Sequence, residues 1–257
     1  MKNLVKTVLV AFVALCANTF AVAQEVETAR PQREPGQRQK ADQGFKMNLT
    51  EQFSIYNFDS GTITQWDTKL DFKLDNDVKV DITLPVFNDD NQVNSTGVGD
   101  VNVNLTYDNA VQFLGFSVDI FGGVGVPLDG DYSSSDCTFS GGAELSATWE
   151  AVDFTQSVKY TLVNDYTYMP VFGGFVEDNV FALESTLKYN VSEKFGVCGN
   201  FDQFYTDGQN VITVGPSVTY NFAHNIAFNA GVAFAVSADL DVEDMDTVTT
   251  FGLGFKF

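Results

Sequence analysis

Trp66-Asp67-Thr68-Lys69-Leu70-Asp71-Phe72-Lys73-Leu74 is followed, after the turn-forming pair Asp75-Asn76 and Asp77, by Val78-Lys79-Val80-Asp81-Ile82-Thr83-Leu84-Pro85-Val86. Apolar and polar residues alternate strictly through both segments. A period of two puts Trp66, Thr68, Leu70 and Phe72 on one face of an extended strand, with Asp67, Lys69, Asp71 and Lys73 on the other; a helix would scatter both sets around its circumference. The same alternation returns at Val101 to Tyr107, Leu114 to Ile120, Phe139 to Trp149, Phe154 to Leu162, Phe181 to Tyr189, Phe195 to Tyr205, Ile212 to Phe222, Ile226 to Phe234 and Phe251 to Phe257. With a less regular first strand around Phe45 to Phe58, the chain reads as about twelve strands.

Two architectures use strands with one greasy face: a soluble sandwich with those faces turned inward, or a membrane barrel with those faces turned to lipid. The connections separate them. Breaks at Asp75-Asn76, Asp108 to Val111, Glu150 to Asp153, Asn190 to Lys194 and Ala223 to Asn225 are short. Those at Phe87 to Val98, Leu128 to Cys137, Asn164 to Asp178 and Ala238 to Thr247 are long, with Asp59 to Thr62 and Thr206 to Asn210 on the same side. Short periplasmic turns, longer external loops and an even strand number belong to outer-membrane barrels, and a tilted strand of ~9–11 residues crosses the bilayer. Closure also removes the unpaired edges that lipid cannot satisfy. The reading is an all-β, transmembrane, antiparallel up-and-down β-barrel over residues 45–257.

The segments ahead of it fit that address. Residues 1–23 carry Lys2 and Lys6, an apolar run from Val8 to Ala17, and Ala21-Val22-Ala23, the order of a cleaved signal peptide that exports the chain to the cell outer membrane. Residues 24–44 hold Arg30, Arg33, Arg38, Pro31 and Pro35, and read as a flexible periplasmic leader. All the arginines of the protein lie there. The chain as a whole holds 14 basic and 34 acidic residues, a formal charge of -20, which excludes nucleic acid as a partner. Its 44% apolar content excludes disorder for most of its length.

The charge should be sorted in space. The external loops carry Asp59, Asp89, Asp90, Asp129, Asp131, Asp136, Asp165, Glu177, Asp178, Asp207, Asp239, Asp241, Glu243, Asp244 and Asp246, with no Lys or Arg. The lumen-facing positions mix signs: Asp67, Asp71, Asp81, Asp100, Asp119, Glu144, Glu184 and Asp202 against Lys69, Lys73, Lys79, Lys159, Lys188 and Lys256. Of these, Asp100, Asp119, Glu144, Lys159, Glu184 and Lys188 are the expected lumen-lining residues. An acidic rim enriches cations and repels anions. The pattern suits a barrel that passes small solutes passively. The alternative is a closed structural or interaction barrel whose acidic loops bind divalent cations or lipopolysaccharide. The aromatic-rich segment Asn164 to Asp178, with Tyr166, Tyr168, Met169, Pro170, Val171 and Phe172, could fold inward as a constriction or lid, or sit at the membrane interface.

Catalytic material is scarce. The one histidine, His224, sits in a short periplasmic turn, away from the rim where a barrel enzyme would place its base. No catalytic residue, cofactor or metal site is assigned: Asp239, Asp241 and Glu243 lack the glycine and terminal glutamate of a calcium loop. Cys137 and Cys198 fall at opposite strand ends, too far apart for a disulfide.

Two stretches carry a family resemblance. Phe251-Gly252-Leu253-Gly254-Phe255-Lys256-Phe257 looks like the terminal signal by which outer-membrane proteins engage the barrel assembly machinery. Gly97-Val98-Gly99-Asp100, opening the strand Val101 to Tyr107, resembles the G-x-G-D start of an alternating strand in the outer-membrane family named for the MetA pathway of phenol degradation. The resemblance extends to the signal sequence, the size and the barrel pattern. It implies a transport-related barrel surrounded by lipid and lipopolysaccharide, and no phenol chemistry follows from it.

Overall fold

The structure, a computed structural model, describes residues 46–74, 77–90, 96–128, 130–239 and 245–256. The signal segment 1–23, the leader 24–44, the Asp75-Asn76 turn, Asp129, Asp241, Glu243, Asp244 and Phe257 lie outside the described residues.

Fifteen strands follow in chain order: β1 (Lys46–Phe58), β2 (Gly61–Lys73), β3 (Val78–Asp89), β4 (Thr96–Val98), β5 (Val101–Phe113), β6 (Phe116–Val126), β7 (Thr138–Trp149), β8 (Val152–Leu162), β9 (Thr167–Met169), β10 (Gly174–Val176), β11 (Val180–Asn190), β12 (Phe195–Thr206), β13 (Gln209–Ala223), β14 (Ile226–Asp239) and β15 (Met245–Lys256). Twelve of them form an antiparallel wall in which each long strand pairs with its sequence neighbour. β1 closes the wall by pairing with β15 from Asn48↔Lys256 to Phe58↔Met245. Of the short strands at the long-loop end, β4 extends that wall, while β9 and β10 form a separate two-stranded sheet. β4 pairs with β3, and β9 with β10 around a 3-10 turn at Pro170–Phe172.

Alternation dictates the two faces. Trp66 is 53% exposed on the outside, as are Leu105, Ile120, Leu187 and Phe251 to similar degrees. Their neighbours Gln65, Asp67, Lys69 and Asp71 share a face with Ser54 and Gln52 of β1 through the pairs Ser54↔Gln65 and Gln52↔Asp67. Tyr107, Trp149, Tyr189, Tyr220 and Phe222 stand exposed on the outer face toward the short-turn end, where an interfacial girdle of aromatics is favourable.

One turn differs from the sequence expectation. The break expected at Asp108 to Val111 is a bulge inside β5, where the register with β6 shifts between Tyr107 and Val111 and Asn109 takes φ 54°. The reversal comes at Leu114-Gly115, with φ 47° and 86°, the left-handed pair of a two-residue hairpin. Leu114 therefore lies in the turn, not on the wall. A bulge breaks alternation and looks like a turn in sequence, whereas leucine seldom occupies a left-handed turn position.

Candidate functional site

The interior of the barrel is the candidate site, and it changes character along its axis. At the long-loop end the wall contributes Phe58, Ile63, Phe87, Val180, Val211 and Met245. They pack against Tyr132 from the loop between β6 and β7, and against Tyr168, Val171, Phe172 and Val176 from the segment between β8 and β11. Both loops thus turn into the barrel mouth and fill it. Phe87, Tyr132 and Tyr168 form a ring cluster, with centroids 4.9 Å (Phe87–Tyr168), 5.6 Å (Phe87–Tyr132) and 4.7 Å (Tyr132–Tyr168) apart. Gly173, at φ 76°, ends the 3-10 turn with its N–H donating to the Pro170 carbonyl at 3.0 Å, and so returns the chain to β10.

Asp89, expected on the rim, is instead buried beside this cluster and accepts a hydrogen bond from the Tyr168 hydroxyl at 3.2 Å. Burial, with the Asp89 carboxylate nearby, pushes the Tyr168 phenol well above its usual range. Tyr132 is raised for the same two reasons, with Asp131 adding to them. Asp59, Asp90, Asp131, Asp165, Glu177 and Asp207 remain exposed at this end.

Below the plug, two cavities open between the walls. One of about 460 Å³ is bordered by Ser54, Tyr56, Asn200, Asp202, Phe204 and Thr250 among others. A second of about 210 Å³ borders Asp67, Asp100, Asn102, Lys159 and Tyr168. Hydroxyls and amides dominate the first wall, where Asn200 Nδ2 donates to Ser217 Oγ at 2.9 Å and Thr186 Oγ1 to Asn200 Oδ1 at 3.2 Å.

Strand register lines up four acids that the sequence could not place relative to one another. Asp119 stands opposite Glu144, Glu144 opposite Ser157, Ser157 opposite Glu184, and Glu184 opposite Asp202. The result is one row across β6, β7, β8, β11 and β12. Its hydrogen-bond donors are neutral: the Asn109 backbone N–H to Asp119 at 2.7 Å, the Ser157 hydroxyl to Glu184 at 3.4 Å and the Thr213 hydroxyl to Asp202 at 3.4 Å. Among the described residues, none of the four has a basic group within ion-pair distance.

The bases stand elsewhere, mostly toward the short-turn end and mostly paired. Lys69 reaches Asp71 at 3.1 Å and Asp81 at 3.8 Å; Asp108 holds Lys79 at 2.9 Å and Lys73 at 3.9 Å; Lys188 lies 3.9 Å from Asp153. Asp81 also accepts from Asn104 at 2.9 Å, and Asp153 from Asn190 at 2.8 Å.

Of the six residues singled out from sequence, the structure brings Asp119, Glu144 and Glu184 together in the row. Lys159 borders the smaller cavity, opposite Gly142 and Ala182. Lys188 lies near the inner end, and Asp100 sits at the outer start of β5, only 7% exposed and hydrogen-bonded to Ser133 and Ser134. Sequence reading missed Asp108, hidden in the bulge, and Tyr132, the lone aromatic of an Asp/Ser-rich loop. That isolation was the one available signal for Tyr132. His224 is exposed in the Ala223–Ile226 turn, and Cys137 and Cys198 are both free thiols.

Comparisons with known proteins follow the same lines. The family model described as "Putative MetA-pathway of phenol degradation" matches residues 30–256. Among solved structures, the NanC porin superposes with a TM-score of 0.61 at 11% identity, covering 81% of this chain and 100% of that one. The COG4313 outer membrane channel from Pseudomonas putida F1 gives 0.59 at 12% identity, covering 88% and 100%. The KdgM porin in complex with disordered oligogalacturonate gives 0.52 at 11% identity, covering 82% and 99%. At these identities the likeness is one of fold. No curated protein sequence matches the chain.

Proposed function

The chain belongs to the outer-membrane family named for the MetA pathway of phenol degradation, and from that premise we propose that it is a passive channel for small cationic or neutral solutes, with its outer mouth narrowed by inward-folded loops. The barrel belongs in the outer membrane and shares its fold with outer-membrane channels and porins. The observation that carries the charge preference is the row Asp119, Glu144, Glu184 and Asp202, whose negative charge no basic side chain neutralises at close range. Within a water-filled bore flanked by low-dielectric walls, such a row lowers the energy of a passing cation and raises that of an anion. Lys159 and Lys188 are the positive lumen-lining partners in this reading, and the exposed acids of the outer loops extend the same sign to the rim.

In the same reading residues 1–23 are removed on export and residues 24–44 remain as a periplasmic leader. The barrel assembly machinery engages the last strand ending at Phe257, and the outer loops meet lipopolysaccharide through shared divalent cations. The packed aromatic mouth favours one other reading, a closed structural barrel that contacts lipopolysaccharide without conducting. Reversal potential in a planar bilayer under a KCl gradient separates the two. The channel reading expects discrete steps with potassium favoured over chloride. An anion preference would overturn the charge assignment, and a folded but electrically silent protein would favour the closed barrel.

A further inference from the structure

The G-x-G-D stretch is the place where the Tyr132 loop is fastened into the barrel. Asp100 is nearly buried, and Oδ1 accepts from the Ser133 hydroxyl at 2.8 Å and from the Ser134 backbone N–H at 2.8 Å, while Oδ2 accepts from the Ser134 hydroxyl. Ser133 is itself held by the Leu128 N–H at 2.7 Å. Among the described residues no base pairs with this carboxylate, so the loop's own donors are its compensation for leaving water. The two glycines make the seat. A Cβ at Gly97 would come within 2.7 Å of the Tyr132 ring, and one at Gly99 within 2.6 Å of the Phe87 ring. Gly99 N–H also donates to the Pro85 carbonyl at 3.0 Å, fixing the seat against β3.

We propose that Asp100 is a positioning residue that latches segment 130–137 inside the barrel mouth, and that the Gly97-x-Gly99-Asp100 seat thereby sets the bore of the channel. The inference rests on the channel reading for its consequence, and on the Asp100–Ser133–Ser134 geometry for its mechanism. Three hydrogen bonds to one carboxylate and a ring lodged over a glycine hold the loop from a single point. Removing that carboxylate frees Tyr132, and with it one side of the Phe87–Tyr132–Tyr168 cluster.

The test compares Asp100→Ala, Asp100→Asn and the double variant Ser133→Ala/Ser134→Ala, each first shown to be folded by heat-modifiable gel migration. Two readouts follow: hydrogen exchange of the 130–137 amides and single-channel conductance. Loss of charge-assisted hydrogen bonds of this kind is expected to speed exchange at the Ser134 amide by about tenfold or more in Asp100→Ala, with the serine double variant close behind. Asp100→Asn, which keeps the shape and one carbonyl acceptor, should fall between wild type and Asp100→Ala. Conductance should rise in the same order, and combining Asp100→Ala with the serine changes should add little. If Asp100 merely lined the path as a charge, Asn and Ala would act alike and the serine variant would do nothing; that pattern overturns the latch. Unchanged exchange in folded Asp100→Ala overturns it as well, and faster exchange with unchanged conductance overturns the link to bore. Silence of wild type and variants alike would refute the channel reading, while the exchange data would still decide whether Asp100 holds the loop.

Discussion

At the end with the long loops, the barrel interior is filled by Phe58, Phe87, Tyr132, Tyr168, Phe172 and Val211. At the end with the short turns it is bounded by Lys69, Lys73, Lys79 and Lys188 against Asp71, Asp81, Asp108 and Asp153. The wall supplies Phe58, Phe87 and Val211 at one end and the charged pairs at the other, since each of its twelve long strands runs from end to end. The difference comes from what the loops bring. Outer loops long enough to fold back deliver apolar side chains that dry the mouth, and dispersion and burial hold them there. Inner turns are too short to reach the bore, so the lysines there stay half in solvent and pair with acids of the neighbouring strands. A dry end suits closure and a wet end suits ions; between them lies the row of unneutralised acids.

The contrast can be broken at either end. The largest effect is expected from Phe172→Ala, since this ring is 2% exposed at the centre of the plug. Truncating a buried aromatic costs about 3–5 kcal/mol, and here the loss should fall on the plug alone. Amides of the 3-10 turn and of β10 should then exchange much faster, while heat-modifiable migration of the barrel stays as in wild type. A variant that unfolds the whole barrel would show that the plug and the wall are one cooperative unit.

Asp108→Ala attacks the wet end. It leaves Lys73 and Lys79 facing one another without their shared carboxylate, at an expected cost of about 1–3 kcal/mol, because Asp108 is buried but its partners are half in solvent. Urea unfolding in detergent measures it, and a change within error would mean that these pairs contribute nothing net.

The tyrosines of the plug give a pH test. Both phenols are raised in the folded state, so below pH about 10 they are neutral whether the plug is docked or released, and stability there is independent of them. Above that pH a released tyrosine ionises and a docked one does not. Plug stability is therefore expected to fall with rising pH, by up to about 1.4 kcal/mol per pH unit for each ring. Hydrogen exchange or proteolysis of segment 167–176, followed from pH 8 to 11, checks the direction. Tyr168→Phe should remove part of the dependence.

The smallest effect in energy is on selectivity. Glu144→Gln/Glu184→Gln/Asp202→Asn should lower the potassium-to-chloride permeability ratio a few-fold, which corresponds to roughly 0.5–1 kcal/mol per ion. The wild-type preference itself should shrink as salt rises from about 0.1 M to 1 M, where screening shortens from ~10 Å to ~3 Å. Equal reversal potentials for variant and wild type would remove the row from the account.

How much of this was legible in the sequence follows from range. Alternation is a two-residue signal, so Trp66 to Leu74 declared both faces of β2, and the sorting of loop lengths declared closure. The aromatic richness of Asn164 to Asp178 suited an inward fold and a seat at the membrane interface equally, and the structure shows Tyr168, Val171 and Phe172 turned inward. What sequence could not yield needs register. The acid row depends on β6, β7, β11 and β12 being offset so that Asp119, Glu144, Glu184 and Asp202 fall level, and no single strand carries that information. Asp100 was recognisable as part of a motif, yet its partners Ser133 and Ser134 lie two strands further along the chain, in the loop after β6. Asp89 looked like any other loop acid because nothing near it in sequence announces Tyr168.

The most direct measurement is single-channel recording of wild type beside a variant whose residues 165–177 are replaced by a short Gly-Ser turn, each folded and inserted in the same bilayer. The account predicts small cation-favouring steps from wild type and steps several-fold larger, still cation-favouring, once the plug is gone. Equal conductances from the two proteins, or a larger pore that favours anions, would contradict it.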